Sequence, residues 1–400
     1  MKKELANLET INVGIVGHID HGKTTLLYKL SNRWADTHSE ELKRGITIKL
    51  GYSNVIIKEH EGKYSVDSGG KGEPVKAVTF VDAPGHEMLM ATMLSGAAIM
   101  DAAILVIAAN EGIRPQTKEH LLALKTKNIK NIIIVQNKID AVTKEQAIKN
   151  YQEIKEFVRG TIAEDSPIIP ASAEQGINLE KVLEELSKIK QNSANKDGKP
   201  IFLIARSFDV NKPGTDIEAL RGGVLGGVLN QGTLKPGDVI EIKPGYSYKK
   251  HNEYKYKTVF TKIVSLRRGE REIKEAIPGG SLAIETELDP SLTKADSLSG
   301  GIASFKGELP DISDNIQIKY ELFKEVIGSG KKEEIEKLKP SELLMLSINT
   351  STTVGKVKKI RNEFVEMDLK IPVVPLKESS VGIARNFSGH WRLIGFGEIV

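Results

Sequence analysis

Gly17-His18-Ile19-Asp20-His21-Gly22-Lys23-Thr24 is the stretch whose reading decides the fold. It fits G-x-x-x-x-G-K-[ST], a phosphate-binding loop. Ile11, Val13, Ile15 and Val16 before it make an apolar run suited to a buried strand. Leu26, Leu27 and Leu30 after it suit one face of a helix. Strand, glycine loop and helix are the setting this motif needs. Glycine lets backbone N–H groups turn toward an anion, and the helix N-terminus adds partial positive charge. Asp20, His21, Gly22, Lys23, Thr24 and Thr25 are therefore candidate nucleotide-binding residues. Lys23 would reach the β- and γ-phosphates, and the Thr24 hydroxyl would ligate Mg²⁺.

Further motifs follow in the order a guanine-nucleotide switch requires. Asp82-Ala83-Pro84-Gly85-His86 comes after the apolar run Val78 to Val81. A carboxylate at a strand end can hold Mg²⁺, usually through water. Gly85 could bring an N–H to the γ-phosphate, and His86 stands where a side chain could orient the attacking water. Arg44-Gly45-Ile46-Thr47 lies between the phosphate loop and Asp82. A threonine there can complete the magnesium shell only while a γ-phosphate is bound, which makes its loop a switch. Asn137-Lys138-Ile139-Asp140 follows the run Ile132 to Val135. Asp140 can accept from the N1–H and N2–H₂ edge of guanine, which adenine lacks, and a site built on such a bond rejects a base that cannot make it. Lys138 can cover the base and Asn137 can brace the loop. Ser172-Ala173 follows Ile168 and Ile169, with the Ala173 N–H placed to meet guanine O6. The catalytic candidates are thus His86, Lys23, Asp82 and Thr47.

From residue 11 to about 190, apolar strands alternate with helical patterns at Thr117 to Lys125, Lys144 to Val158 and Leu179 to Leu186. That alternation predicts a doubly wound, mostly parallel α/β domain over residues 1–197. Gln191 to Lys199 is polar and reads as a linker. After it, short apolar segments alternate with glycine and proline turns, among them Lys235-Pro236-Gly237-Asp238, a type II turn signal. Two β-barrels are expected, over 198–309 and 310–400, the second with strands at Leu343 to Ile348, Val354 to Val357, Phe364 to Leu369 and Trp391 to Ile394. Lys331 to Lys339 is a mixed charge run that suits a solvated connection.

The 400 residues are too many for one ordinary core. The formal net charge of +4 is compatible with a nucleic-acid partner without demanding one. With no cysteine, disulfides and thiolate zinc sites are excluded. Met1 to Thr10 lacks a signal-peptide apolar core, and no apolar run approaches the ~20 residues a membrane helix needs. A cytoplasmic protein is expected. Lys249, Lys250, His251, Lys255 and Lys257 interleave with Tyr248, Tyr254 and Tyr256. They read either as a basic-aromatic patch that binds phosphates and stacks bases, or as a solvated hairpin with aromatic strand positions.

Taken together, G-H-x-D-H-G-K-T, R-G-I-T, D-A-P-G-H and N-K-x-D resemble the translational GTPases, the family of the elongation factor that carries aminoacyl-tRNA. Lys49-Leu50-Gly51-Tyr52, Arg206-Ser207-Phe208-Asp209-Val210-Asn211-Lys212-Pro213-Gly214-Thr215, Leu344-Met345-Leu346-Ser347 and Gly389-His390-Trp391-Arg392-Leu393-Ile394-Gly395 resemble the γ subunits of initiation factor 2, in their archaeal form. The resemblance implies a GTPase that hydrolyses GTP to GDP and phosphate, with Mg²⁺. It also implies that the GTP form carries methionylated initiator tRNA to the small ribosomal subunit, in a heterotrimer with α and β subunits and without a membrane. By position, Asp20, Thr24, Gly45 and Thr47 match the family's magnesium-associated residues, and Ile19 and Ile46 an apolar gate over His86. Family members commonly carry a four-cysteine zinc knuckle between the switches; Ile57 to Lys76 here has no cysteine, and a short flexible loop is expected instead. Three other readings stay open at this stage: an elongator- or selenocysteinyl-tRNA carrier, a GTP-binding scaffold, and a metabolic GTPase subunit.

Overall fold

The computed structural model describes residues 8–32, 50–66, 72–83, 90–190, 195–251, 253–326 and 334–400. By compactness the chain divides into two units. One comprises Met1–Gln191, Leu322–Glu336 and Ala384–Gly395; the other comprises Asn192–Glu321, Lys337–Ile383 and Phe396–Val400.

The N-terminal sheet contains β1 (Thr10–Gly17), β2 (Gly51–His60), β3 (Lys63–Ser65), β4 (Glu73–Asp82), β5 (Ala102–Ala108), β6 (Asn131–Asn137) and β7 (Ile168–Pro170). Their order is β3-β2-β4-β1-β5-β6-β7. Neighbours from β4 through β7 run parallel, whereas β2 is antiparallel to both β4 and β3, so the sheet is mixed. The helices are α1 (Lys23–Ser31), α2 (Met90–Ala97), α3 (Pro115–Thr126), α4 (Lys144–Val158) and α5 (Leu179–Lys188). Ile11, Val13, Ile15, Ile104 and Val106 form one core cluster with Leu26, Leu27 and Leu30 of α1 and Val182, Leu183 and Leu186 of α5. The intervening Leu105 and Ile107 are also fully buried, because successive strand side chains alternate between faces and both faces are covered. The capping box in α4, where Thr143 and Gln146 exchange side-chain and backbone bonds, fixes where that helix starts.

The stretch from Ile57 to Lys76 corrects an expectation. It is not simply a loop. β2 runs to His60, turns at Glu61 and Gly62 with φ of 51° and 77°, and returns as β3 with Lys58 opposite Ser65 and His60 opposite Lys63. Two left-handed residues in sequence are what a tight two-residue hairpin turn requires. Tyr64, Val66 and Val75 pack against the core cluster, which anchors the hairpin.

The second sheet contains β8 (Ile201–Phe208), β9 (Val224–Gln231), β10 (Val239–Lys250), β11 (Glu253–Arg268), β12 (Arg271–Ile273), β13 (Ser281–Thr286) and β14 (Ile302–Phe305). Its order is β10-β14-β8-β9-β13-β11-β12, and β10 also pairs with β11, so six strands close into a barrel with β12 appended. Phe202, Ile204, Leu225, Ile240, Ile242, Ile263 and Ile284 fill it. The Lys235–Asp238 turn forms as expected, with Asp238 N donating to Lys235 O at 3.2 Å. The linker is pinned at its far end, since Asn195 O accepts from Gly232 N.

The last six strands are β15 (Ser313–Leu322), β16 (Leu343–Ile348), β17 (Ser351–Arg361), β18 (Phe364–Val373), β19 (Ser380–Phe387) and β20 (His390–Ile399). They form a closed barrel in the order β15-β18-β17-β16-β19-β20. An α/β GTPase domain followed by two β-barrels is the architecture the sequence implied. Part of the charge run is less solvated than expected, because Leu338 is buried; residues 331–333 lie outside the described residues.

Candidate guanine-nucleotide site

The carboxyl ends of β1, β4, β5 and β6 come together, the edge where ligands bind in open α/β sheets. Asp82 is opposite Ile15 in register and wholly buried, which places it beside the phosphate loop at the end of β4. Gly22 caps α1 at φ 88°, and a Cβ there would lie 2.4 Å from Asn137 Nδ2, so the position admits only glycine. Thr24 and Thr25 open the first turn of α1, half-buried, and Asp20 stands exposed in the loop at φ 60°. The Lys23 Nζ donates to the His18 carbonyl at 2.6 Å. Burial lowers its pKa to about 8, against the opposing pull of the Asp82 and Asp20 carboxylates.

The guanine-side motifs are joined to this loop by one side chain. Asn137 Nδ2 donates to His21 O at 2.9 Å, and Asn137 Oδ1 accepts from Ala173 N at 2.9 Å. The brace expected of Asn137 is therefore present. The Ala173 N–H, expected at guanine O6, is here donated to Asn137. Ser172 is fully buried, and its Oγ accepts from Gln175 N to hold the following turn. Lys138 adopts φ 60° and Asp140 is exposed in the 3₁₀ turn that follows it. Gly45, Thr47, Gly85 and His86 lie outside the described residues, as do Arg44, Ile46 and Pro84.

Four residues of this site were not anticipated. His120 on α3 is buried, and its Nδ1 accepts from Gly17 N at 2.8 Å. Gln116, one helical turn earlier on the same face, accepts from Ile19 N at 3.4 Å. An acceptor Nδ1 requires the proton on Nε2 and a neutral ring. Burial first, and then the Lys23 charge, holds the His120 pKa at about 3. His21 is likewise buried, with Nδ1 3.2 Å from Val106 O and its pKa lowered by burial to about 4. Glu111, after β5, gathers Arg114 at 3.6 Å, Lys138 at 3.8 Å and His21 at 3.9 Å. The fourth residue, Glu119, is 1% exposed and holds Arg392 at 2.6 Å. The only sequence signal for this group was a helix face with polar residues at Gln116, Glu119 and His120 where an ordinary amphipathic helix would bury aliphatics.

Two carboxylates and a hydroxyl around Lys23 are hard oxygen donors of the kind Mg²⁺ takes. Among the described residues no cluster of histidines, cysteines and acids has the make-up of a further metal centre.

Comparison with known proteins agrees with this geometry. Residues 8–192 match the family described as Elongation factor Tu GTP binding domain, and residues 314–399 match Initiation factor eIF2 gamma, C terminal. Translation initiation factor 2 subunit gamma from Methanococcus vannielii is 50% identical over 407 residues, covering 99% of each chain. The protein of that name from Thermococcus onnurineus is 47% identical, covering 100% of this chain and 99% of its own. The chain belongs to the translation initiation factor 2 subunit gamma family. It is accordingly a translation-initiation GTPase. Among solved structures, the elongation factor SelB of Methanococcus maripaludis in complex with a GTP analogue superposes with a TM-score of 0.73 at 25% identity, covering 98% of this chain and 79% of its own. A bacterial selenocysteine-specific elongation factor gives 0.75 at 25% identity, covering 98% of this chain and 58% of its own. This chain thus shares its fold with selenocysteine-specific factors, but its sequence identity to the initiation factors is about twice as high.

Proposed function

We propose that the GTP form of this chain carries methionylated initiator tRNA to the small ribosomal subunit, as the γ subunit of a heterotrimer with α and β subunits. The observation that carries this reading is the near 50% identity over the whole length, barrels included, to initiation factor 2 subunits gamma. Their fold-mates among selenocysteine-specific factors stand at 25%. The cytoplasm is the compartment where such a carrier works. None of the described helices is long and apolar enough to cross a membrane.

At the nucleotide, Gly22 and the backbone amides of the loop bind phosphate oxygens, and Lys23 neutralises the β- and γ-phosphates. Asp140 accepts from the guanine edge, Lys138 covers the ring, and Asn137 fixes both loops at once. Asp20, Thr24 and Asp82, with Gly45 and Thr47, would hold Mg²⁺, which supplies charge neutralisation on the phosphoryl oxygens when bound. His86 orients the attacking water and Gly85 senses the γ-phosphate. Hydrolysis by the chain alone is slow, roughly 10⁻⁴ to 10⁻³ s⁻¹, the range of comparable switches without a supplied arginine.

The deciding experiment is binding of charged initiator tRNA in GTP and in GDP, with and without the partner subunits. A clear preference for GTP and for initiator over elongator tRNA is expected. Equal binding in the two nucleotides would refute the carrier reading. Single-turnover hydrolysis adds a second check: His86→Ala should slow stimulated hydrolysis with GTP affinity nearly intact, and fast turnover of the isolated chain would contradict the mechanism.

A further inference from the structure

The distal halves of β10 and β11 leave their barrel. β10 pairs with β14 only from Ile240 to Lys243, and β11 pairs with β13 only from Ile263 onward. Between these limits Tyr246 to Lys250 and Glu253 to Lys257 pair only with each other, five cross-strand pairs, about 17 Å of two-stranded ribbon at ~3.4 Å per residue. Its root is built: a β-bulge interrupts the register between Ile242 and Tyr246, and Gly245 sits there at φ 86°. A Cβ on Gly245 would lie 2.1 Å from the Lys257 carbonyl, so the bend needs glycine.

Cross-strand partners share a face, so the register sorts the side chains. One face carries Tyr246, Tyr248, Lys250, Lys255 and Lys257, with Glu253 at the tip. The other carries Ser247, Lys249, Tyr254 and Tyr256. The Tyr246 and Tyr248 rings lie nearly parallel, 13° apart with centroids at 6.4 Å, and Tyr254 is 67% exposed. Four lysines stand against one glutamate, a formal charge of +3. Lys255 pairs with Glu253 at 2.9 Å, but among the described residues Lys249, Lys250 and Lys257 meet no carboxylate. Lysines alone would be explained by protection of exposed strand edges. Exposed tyrosines on both faces are not, because they add the apolar surface that edge protection removes.

We infer that this ribbon is an RNA-binding arm whose partner is ribosomal RNA of the small subunit. Unpaired bases stack on Tyr246, Tyr248 and Tyr254, and Lys249, Lys250, Lys255 and Lys257 contact the flanking phosphates. Flat rings flanked by unpaired cations match bases and phosphates together, whereas an acidic peptide offers only the charge. An arm with aromatic and cationic groups on both faces suits insertion into a cleft of a large folded RNA, rather than lying along one side of a tRNA. The inference rests on the carrier reading for its choice of RNA and adds to it the residues that make the contact.

The test uses the full-length chain, GTP-loaded, against purified small subunits and, separately, against charged initiator tRNA. Lys249→Ala/Lys250→Ala/Lys255→Ala/Lys257→Ala should lower the salt slope of subunit binding by about three, from the loss of ~0.7–0.9 per phosphate contact. Tyr246→Ser/Tyr248→Ser should weaken subunit binding at least about fivefold, as loss of base stacking does. Replacing the same four lysines by arginine should retain binding, and unchanged GTP affinity reports intact folding. Unchanged subunit binding in the alanine and serine variants would overturn the inference, and so would loss in the arginine variant. A parallel loss of tRNA binding would also overturn it, by moving the contact to tRNA. Failure of the unmodified chain to bind charged tRNA would instead strike the carrier reading, in a separate arm of the experiment.

Discussion

Gly17 and His120 are 103 positions apart, yet the Gly17 amide donates to the His120 ring nitrogen at 2.8 Å inside the protein. The phosphate loop therefore takes its shape partly from α3. His120→Ala leaves a buried N–H without its acceptor, a loss of about 1–3 kcal/mol. GDP release, followed with a fluorescent analogue, should quicken about five- to a hundredfold, and Gln116→Ala, with its longer 3.4 Å bond, should do less. An unchanged release rate in His120→Ala would deny the loop this support.

The same ring makes the fold acid-sensitive. The folded chain keeps His120 neutral down to about pH 3, whereas the unfolded chain protonates it near 6.5. Between these values the unfolded state binds the extra proton, so stability is complete above pH 6.5 and declines as pH falls. The slope is about 1.4 kcal/mol per pH unit for one such group. The urea midpoint should fall in this way from pH 7.5 to 5 in the parent, and less so in His120→Gln.

Lys23 gives a proton signal of opposite direction. With its pKa near 8, a fraction of the amine is neutral at pH 8 and above, and adjacent phosphates raise that pKa again. GTP binding at pH 8.5 should therefore take up protons. Calorimetry in two buffers of different ionisation enthalpy reads this directly, and Lys23→Arg should abolish the uptake because arginine stays charged.

Glu119 and Arg392 form a buried pair within the same compact unit as the nucleotide site. Removing one partner of such a pair costs about 3–5 kcal/mol, while replacing both by apolar groups can be neutral. Arg392→Met should lower stability and, through α3, speed GDP release. Glu119→Leu/Arg392→Met should recover most of both. Additive losses in the double variant would show that the two residues act independently.

Asp140 tests base choice. An amide at this position donates where the carboxylate accepted. Asp140→Asn should lose guanine affinity by more than about a hundredfold and gain affinity for xanthosine triphosphate, whose C2 carbonyl accepts. Competition binding with the two triphosphates is the measurement.

The motifs were legible because their chemistry constrains residue type at fixed spacing. Asp82 and Asn137 end two strands of one sheet and Lys23 opens the helix that follows the phosphate loop, as the sequence order implied. The supports were not legible. Gln116 and His120 meet Gly17 and Ile19 only because α3 packs across β1, and no local pattern encodes a partner about 100 residues away. The β2–β3 hairpin carries no local sequence signal for a related reason. Its turn, Glu61-Gly62, lacks the Asn-Gly or Asp-Gly signature, and packing of Tyr64 and Val66 holds it closed. Arg392 was read only as part of a family signature, although its side chain reaches Glu119.

The hairpin that occupies the knuckle position has a practical side. A chain without a single thiol is indifferent to disulfide scrambling and to thiol-directed alkylating reagents. A cysteine introduced at exposed Lys63, on the outermost strand of the sheet, would be the sole attachment point for a dye or spin label. The protein therefore offers a clean background for watching the nucleotide domain by spectroscopy, with no native site to mask.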